Sequence, residues 1–212
     1  YILGMHRDTL TSNGLDSYRR DIVDVQRLRA EAHVLKAYYY FELAKRYGGG
    51  PLIDRVYADQ KEANLPRGTF DEVVGLILRE IEGVRNELVV DWRAENLEEK
   101  SGRITRGAAL ALKSRVLLYA ASPQFNPSGE KSKWAAAAAA AFEVINMGIY
   151  SLHPDYGGLF VAETSTTSPE TIWAVRMGAT NEFERKNYPI GTQGGGTGIC
   201  PSQNLVEAYE ST

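Results

Sequence analysis

The segment Ala30–Ile53 (AEAHVLKAYYYFELAKRYGGGPLI) constrains the fold of this chain more than any other. It predicts a helix, because residues just before and within it recur at the helical period of 3.6, namely Leu28, Ala32, Leu35, Tyr39 and Leu43. The run Gly48–Pro51 predicts where that helix ends, since glycine can adopt the left-handed conformation and proline cannot continue a helix. We therefore expect a helix that begins near Ile22, after a polar turn at Thr11–Gly14, and buries this stripe of residues. Tyr38, Tyr40 and Phe41 widen the stripe and favour burial on more than one side.

Three further helices are predicted. Thr69 and Glu72 form a T-x-x-E capping box, and it precedes an apolar stripe made of Phe70, Val73, Ile77, Ile81, Val84 and Leu88. The next helix is expected from Thr105 to Ala121 and is rich in small residues. The fourth is expected over Lys133–Met147, with Ser132 as its cap and Gly148 at its end, around a run of seven alanines. We interpret the four helices as two antiparallel pairs that pack like tetratricopeptide repeats without a regular sequence repeat.

The pattern changes after Tyr150. Leu159–Val161 and Thr171–Val175 are short β-favouring runs, and Asn181–Gly198 reads as a loop. Pro201 stands at the start of a last helix. The predicted fold class is mainly α, with tetratricopeptide-like antiparallel helix pairs and a small β and loop region. The whole chain, 1–212, is expected to be a single partial domain, in which 1–149 is the helix-pair scaffold and 150–212 holds short strands, a loop and the start of a truncated helix.

Composition and motifs argue against an enzyme. A net charge of −3 gives no reason to expect nucleic acid as a partner, and the one cysteine, Cys200, excludes an internal disulfide. No apolar run reaches the ~18–20 residues that span a bilayer. His6, His33 and His153 are scattered without the spacing of metal ligands, and the glycine-rich runs do not match a phosphate loop or a dinucleotide fold. We expect no catalytic residue, no cofactor and no metal.

Four residues are candidates for ligand binding. Trp92 lies in a charged loop and could stack on a sugar ring, whereas Trp134 and Trp173 are expected in the core. Asn181, Phe183 and Tyr188 combine polar and aromatic groups in a second loop, as a carbohydrate site requires. Glu31, in contrast, could face a basic residue or favour the positive end of the helix dipole, and the second role is the one expected.

Five segments resemble the SusD/RagB family, in the order in which that family carries them. The first two are specific: Ala30–Ile53 resembles the AEA-x-x-L-(R/K)-A-Y-Y-Y-F core with its Y-G-G-x-P-L ending, and Gly102–Asn126 (GRITRGAALALKSRVLLYAASPQFN) resembles the T-(K/R)-G-A-A-L-A-L segment. The others are Gly148–Phe160 (GIYSLHPDYGGLF), Ser168–Arg176 (SPETIWAVR) and Pro201–Glu210 (PSQNLVEAYE). Gly50 departs from the family pattern, which usually has a larger residue there.

The resemblance implies a surface-exposed lipoprotein of the outer membrane of a Bacteroidetes-type bacterium. Such proteins are not enzymes; they bind oligosaccharides or starch-like polysaccharides and deliver them to a SusC-like TonB-dependent transporter in polysaccharide utilisation. Family members are about twice this length or more, so we expect a central fragment, with the lipid-bearing N-terminus outside the sequence. The shared motifs belong to the scaffold, and no binding residue carries over from them.

A second hypothesis is a helical-repeat scaffold that binds a peptide or protein and has no sugar ligand. Retrieval of a large β-barrel transporter would favour the first hypothesis, and soluble partners alone would favour the second.

Overall fold

The computed structural model describes residues 12–59, 61–92, 102–161, 168–174, 180–196 and 201–209. For residues 12–21 and 183 it describes the backbone alone. Contacts within the chain divide it into two compact units, Tyr1–Ala174 and Val175–Thr212. The subdivision at residue 150 that the sequence suggests stays a prediction.

Four long helices form the first unit: α1 (Ser12–Tyr47), α2 (Phe70–Val84), α3 (Arg106–Ala121) and α4 (Lys131–Ile145). α1 packs on α2, α3 packs on α4, and contacts between α2 and α3 join the two pairs. Both pairs are antiparallel. Arg67, just before α2, donates a hydrogen bond to the carbonyl of Tyr47 at the end of α1. Tyr150, just after α4, contacts Gly107 at the start of α3. The predicted mainly α fold class is confirmed. Within the described residues, no helix has the length and apolar character needed to cross a membrane.

α1 differs from its prediction in both its start and its buried face. It begins at Ser12, so Ser12–Gly14 belongs to the helix and not to a polar turn. The residues that it buries are Ala30, Glu31, Val34, Ala37, Phe41 and Ala44. The expected core positions Leu28, Ala32, Leu35 and Tyr39 are exposed instead, Tyr39 by 66%.

The buried face of α1 follows from close packing. Ala30, Ala37 and Ala44 are spaced by seven residues, and their small side chains let α2 and α3 approach the helix axis. Phe41 fills the remaining space and meets Tyr119 of α3 edge to face, with ring centroids 5.1 Å apart. A count of large apolar residues therefore selects the wrong face of this helix.

The predicted capping box and apolar stripe of α2 are confirmed, although the helix ends at Val84, before Leu88. The hydroxyl of Thr69 accepts a hydrogen bond from the backbone N–H of Glu72 at 3.2 Å, and the Glu72 carboxylate accepts one from the N–H of Thr69 at 2.7 Å. Every residue of the predicted apolar stripe is buried.

Glycines close the turn between α1 and α2, as predicted. Gly48 has φ +79°, and its N–H donates to the carbonyl of Ala44. A Cβ on Gly49 would lie 2.2 Å from the carbonyl oxygen of Gly68, so the two chain segments can meet only at a glycine. The Tyr40 hydroxyl ties down the following residues, since it donates to the carbonyl of Pro51 and accepts from the N–H of Ile53.

α3 begins and ends as predicted, whereas α4 differs at its start. Thr105 caps α3 by accepting a hydrogen bond from the N–H of Ala108. α4 begins at Lys131 after Glu130, so Ser132 lies inside the helix and is not its cap. α4 turns Ala137 and Ala140 inward and leaves Trp134 47% exposed, so the expectation of a core role for Trp134 is wrong.

The two predicted strands do not form in the described part of the chain. Gly158–Phe160 is a short 3-10 helix, and Thr171–Ala174 has no regular secondary structure, while Val175 lies outside the described residues. β propensity alone does not make a strand, because its backbone groups need a neighbouring strand as partner. The second unit contains α5 (Glu182–Asn187), inside the expected loop, and α6 (Gln203–Glu207), whose cap is Ser202.

Candidate functional site

Trp92 is buried between two arginines, with only 2% of the residue exposed. The guanidinium carbon of Arg103 lies 4.6 Å from the ring centroid, and that of Arg27 lies 5.8 Å from it. Both distances fit cation–π contacts. The ring is therefore occupied by protein groups and offers no open face for a sugar in this structure. Ligand binding by Trp92 stays a prediction.

Arg103 is held in place by Glu31, a buried residue in the middle of α1. Its Nη2 lies 2.5 Å from Oε1 of Glu31, and its Nε lies 3.1 Å from Oε2. This two-point geometry is the strong form of an arginine–carboxylate contact. The expected role of Glu31 at the helix dipole is wrong, because α1 begins far upstream of it, at Ser12. The other alternative, a basic partner, is the one that the structure contains.

A cavity of about 500 Å³ opens beside this arginine cluster. One wall comes from α1 and the other from the segment that follows α2. Its polar lining consists of Gln26, Arg27, Asn86, Glu87, Asp91 and Arg106, and its apolar lining of Val23, Leu88, Val89 and Val90. A concave surface with a few convergent polar groups on apolar walls is the usual form of a small-ligand site, and amides and carboxylates suit sugar hydroxyls.

The cavity has a fixed rim. Arg106 donates from Nε to the carbonyl oxygen of Arg85 at 3.1 Å, and its own N–H donates to the carbonyl of Val89 at 2.8 Å. These bonds attach the start of α3 to the segment after α2. Sequence reasoning missed the cavity because it joins residues about sixty positions apart, and the presence of Trp92 within the charged loop was the only signal nearby.

A second, smaller groove of about 230 Å³ lies between α1 and α2. The carboxylate of Glu80 sits at its side, in contact with His33 Nδ1 and 2.7 Å from Lys36 Nζ. Partial burial would raise the pKa of Glu80, but the hydrogen bonds from Lys36 and His33 outweigh it and hold that pKa below its usual value.

A ring of four charges joins α2, α3 and α4. Lys113 Nζ lies 2.6 Å from Glu143 and 2.7 Å from Glu82, and Arg85 reaches the same two carboxylates at 2.8 and 2.9 Å. The pKa of Glu143 is lowered mainly by Lys113, and that of Glu82 is lowered by Lys113 and Arg85 although burial opposes them. Each shift is explained by pairing within the ring, so we interpret these groups as a clamp on the scaffold.

The other three candidate residues lie in the second unit, around α5. Asn181 and Tyr188 are exposed at its two ends, and Phe183 lies within it, where only its backbone is described. These three residues thus lie on or next to one short helix, whereas Trp92 belongs to the first unit. Their role in binding stays a prediction. No group of metal-ligating side chains occurs among the residues that the structure describes.

Comparison by sequence matches residues 11–118 to a family model, SusD-like, whose description is starch-binding associating with the outer membrane. The match covers half of the chain and includes α1, α2 and most of α3. No curated protein matches the chain.

Comparison by structure finds similar solved proteins from Bacteroides. A SusD-like protein from Bacteroides fragilis is 29% identical, with a TM-score of 0.61, over 74% of this chain and 28% of that one. A SusD superfamily protein from the same species is 23% identical, with a TM-score of 0.61, over 79% of this chain and 34% of that one. Surface glycan-binding protein A from Bacteroides uniformis is 21% identical, with a TM-score of 0.58, over 71% of this chain and 31% of that one. The chain thus spans about a third or less of the length of these proteins.

Proposed function

The chain belongs to the SusD-like family, and from this we propose that it is part of a non-catalytic protein that binds glycans at the surface of the outer membrane. The single observation that carries the proposal is the family match over residues 11–118, whose description names starch binding and the outer membrane. The glycan-binding protein of Bacteroides uniformis, with its similar fold, adds support.

The cavity beside Trp92 is the part of the chain that best suits a sugar. Gln26 and Asn86 present amide groups that can donate and accept at once, as neighbouring sugar hydroxyls do. Arg27 and Arg106 are engaged with the protein and hold the walls. We infer that the amides contact the glycan and that the arginines keep the cavity in shape. Asn181, Phe183 and Tyr188 would form a separate contact region in the second unit.

Delivery to a SusC-like TonB-dependent transporter is part of the same proposal. An N-terminal lipid outside this sequence would hold the protein at the membrane, and the helix pairs would support the contact with the transporter. Affinity capture from outer membranes tests this partnership. Recovery of a large β-barrel transporter is the expected result, and its absence from the captured material would contradict the partnership.

Calorimetric titration with neutral and acidic oligosaccharides tests glycan binding. For a glycan that binds, Gln26→Ala and Asn86→Ala should each weaken affinity about fivefold, the value of one lost hydrogen bond. Gln124→Ala serves as the control, since this exposed amide does not line the cavity. If no glycan in a broad array binds, glycan binding is refuted. If one binds and both amide variants keep full affinity, only the location is refuted.

A protein-binding scaffold is the second candidate, and one observation favours it. Leu28, Leu35 and Tyr39 form an exposed apolar stripe along α1, a surface of the kind that proteins use to contact each other. Capture of soluble proteins alone, with no glycan bound, would favour this function over the first.

A further inference from the structure

We propose that the groove between α1 and α2 binds the carboxylate group of an acidic oligosaccharide. This inference rests on the proposed function, since it names the chemical class of glycan that such a protein would take. The groove is lined by Arg29 and His33 from α1 and by Arg79, Glu80, Gly83 and Val84 from α2. Glu87, which follows the end of α2, also lines it. It is separate from the cavity that contains Gln26 and Asn86.

The charges around the groove favour an anion. Glu80 is one of the two carboxylates that line the groove, and it is already bonded to His33 and Lys36. Arg29 and Arg79 are both exposed, and neither has an ion-pair partner among the residues that the structure describes. The groove thus combines two guanidinium groups that are unpaired among the described residues with two carboxylates, one of which, Glu80, is already paired with His33 and Lys36. Glu87 is the other lining carboxylate, and among the described residues no ion pair joins it to Arg29 or Arg79.

A glycine on α2 gives independent support. Glycine is less favourable than alanine inside a helix, and packing does not require it at position 83, because a Cβ there would meet no atom within 4 Å. Gly83 lines the groove, so the missing side chain keeps the groove open.

The shape and the chemistry together indicate a sugar acid. Guanidinium groups bind carboxylates through two parallel hydrogen bonds, which a lysine cannot do. The volume of about 230 Å³ is smaller than pockets for whole drug-sized ligands, which begin near 300 Å³. It suits one ring of a chain that continues along the open groove. A uronic acid unit carries both the carboxylate for the arginines and hydroxyls for Glu87 and His33.

The test compares acidic oligosaccharides with their carboxyl-reduced forms, which keep the same sugar skeleton and lose the charge. Oligosaccharides of galacturonan, alginate, hyaluronan and heparosan are titrated calorimetrically into the protein. At least one should bind about tenfold or more tightly than its reduced form, and its affinity should fall as salt is added, because exposed charge pairs are screened. If none binds more tightly than its reduced form, the inference is overturned.

Variants locate the effect. Arg29→Gln and Arg79→Gln should each lower affinity for the acidic form about tenfold, as the loss of a charged hydrogen bond does, and leave affinity for the reduced form unchanged. Arg46→Gln is the matched control. Arg46 is an exposed arginine of α1, the helix that carries Arg29, and it pairs with Glu42 outside the groove. Gly83→Leu should fill the groove and abolish the preference for the acidic form, whereas Gly83→Ala should keep most of it. Neither substitution at Gly83 should lower the melting temperature, because leucine and alanine both have a higher helix propensity than glycine.

The outcomes separate the inference from the proposed function. If neutral glycans bind and the arginine variants have no effect, the groove is not an acidic subsite although glycan binding stands. If no glycan binds, both are refuted. If tetraglutamate binds as tightly as the best acidic oligosaccharide and loses affinity in the same variants, the groove recognises acidic peptides, and the sugar assignment is wrong.

Discussion

The guanidinium of Arg103 donates hydrogen bonds of 2.5 and 3.1 Å to the carboxylate of Glu31, which lies 72 positions earlier in the sequence. The same guanidinium lies over the ring of Trp92. One arginine therefore links the middle of α1 to the segment that borders the larger cavity. We expect part of the stability of the first unit to depend on this contact, because both groups are largely buried.

Glu31→Gln and Arg103→Gln should each lower the free energy of unfolding by about 1–3 kcal/mol, because each leaves a largely buried charge without its partner. The double variant should lose less than the sum of the two, since it removes both charges at once. Urea unfolding followed by circular dichroism measures all three. Additive losses would show that the two groups do not interact in solution.

Phe41→Ala should cost about 3–5 kcal/mol of unfolding free energy, whereas Tyr39→Ala should cost less than about 1 kcal/mol. Phe41 is 1% exposed and packs in the core, and Tyr39, two residues earlier on the same helix, faces outward. Thermal and urea unfolding of both variants check the assignment. A large loss for Tyr39→Ala with a small one for Phe41→Ala would mean that α1 buries the face predicted from its apolar period.

Gly49→Ala should destabilise the protein more than Gly50→Ala. A Cβ at Gly49 would meet the backbone oxygen of Gly68 at 2.2 Å, so the main chain must move, while a Cβ at Gly50 would meet the end of the Leu43 side chain at 2.8 Å, which can rotate. We expect a loss above about 2 kcal/mol for the first and about 1 kcal/mol or less for the second. Equal melting temperatures for the two variants would contradict the close approach at Gly49.

Stability should fall in acid because of the carboxylates on α2 and α4. The pKa values of Glu80, Glu82 and Glu143 are lowered in the folded chain, so these groups bind protons more readily when it unfolds. Their contribution is present above the ordinary pKa of 4.5 and is lost as the pH falls below it, through the folded values.

Unfolding free energy measured between pH 7 and pH 3 checks this dependence. Glu143→Gln should flatten the profile below pH 4.5, because one of the three linked groups is gone. Glu130→Gln is a control, since Glu130 contributes no ion pair to the ring. A profile that is unchanged in Glu143→Gln would show that the ring does not couple to folding.

The sequence predicted best where the determining interaction is local. The capping box at Thr69 and Glu72, the start of α3 at Thr105 and the glycine stop after α1 each depend on neighbours within a few residues, and all three are present. The stripe on α2 was also predicted correctly, because that helix buries one broad face with large side chains.

The binding residues were less accessible to sequence reasoning. The aromatic and amide residues proposed in the second unit remain predictions, and the ring of Trp92 is covered by arginines that come from α1 and from just before α3. The cavity that contains Gln26 and Asn86 and the groove between Arg29 and Arg79 have no local signature. Each exists only because α1 and α2 lie side by side.

Sequence alone determined the family, the four helices and their order, since helix formation and chain reversal are set by short-range preferences and caps. Tertiary structure decided which face of α1 is buried, how Glu31 is paired and which residues surround each candidate site. The physical reason is that close packing rewards a small residue wherever two helices approach each other. The alanines of α1 therefore face the core, and its larger leucine and tyrosine side chains face out.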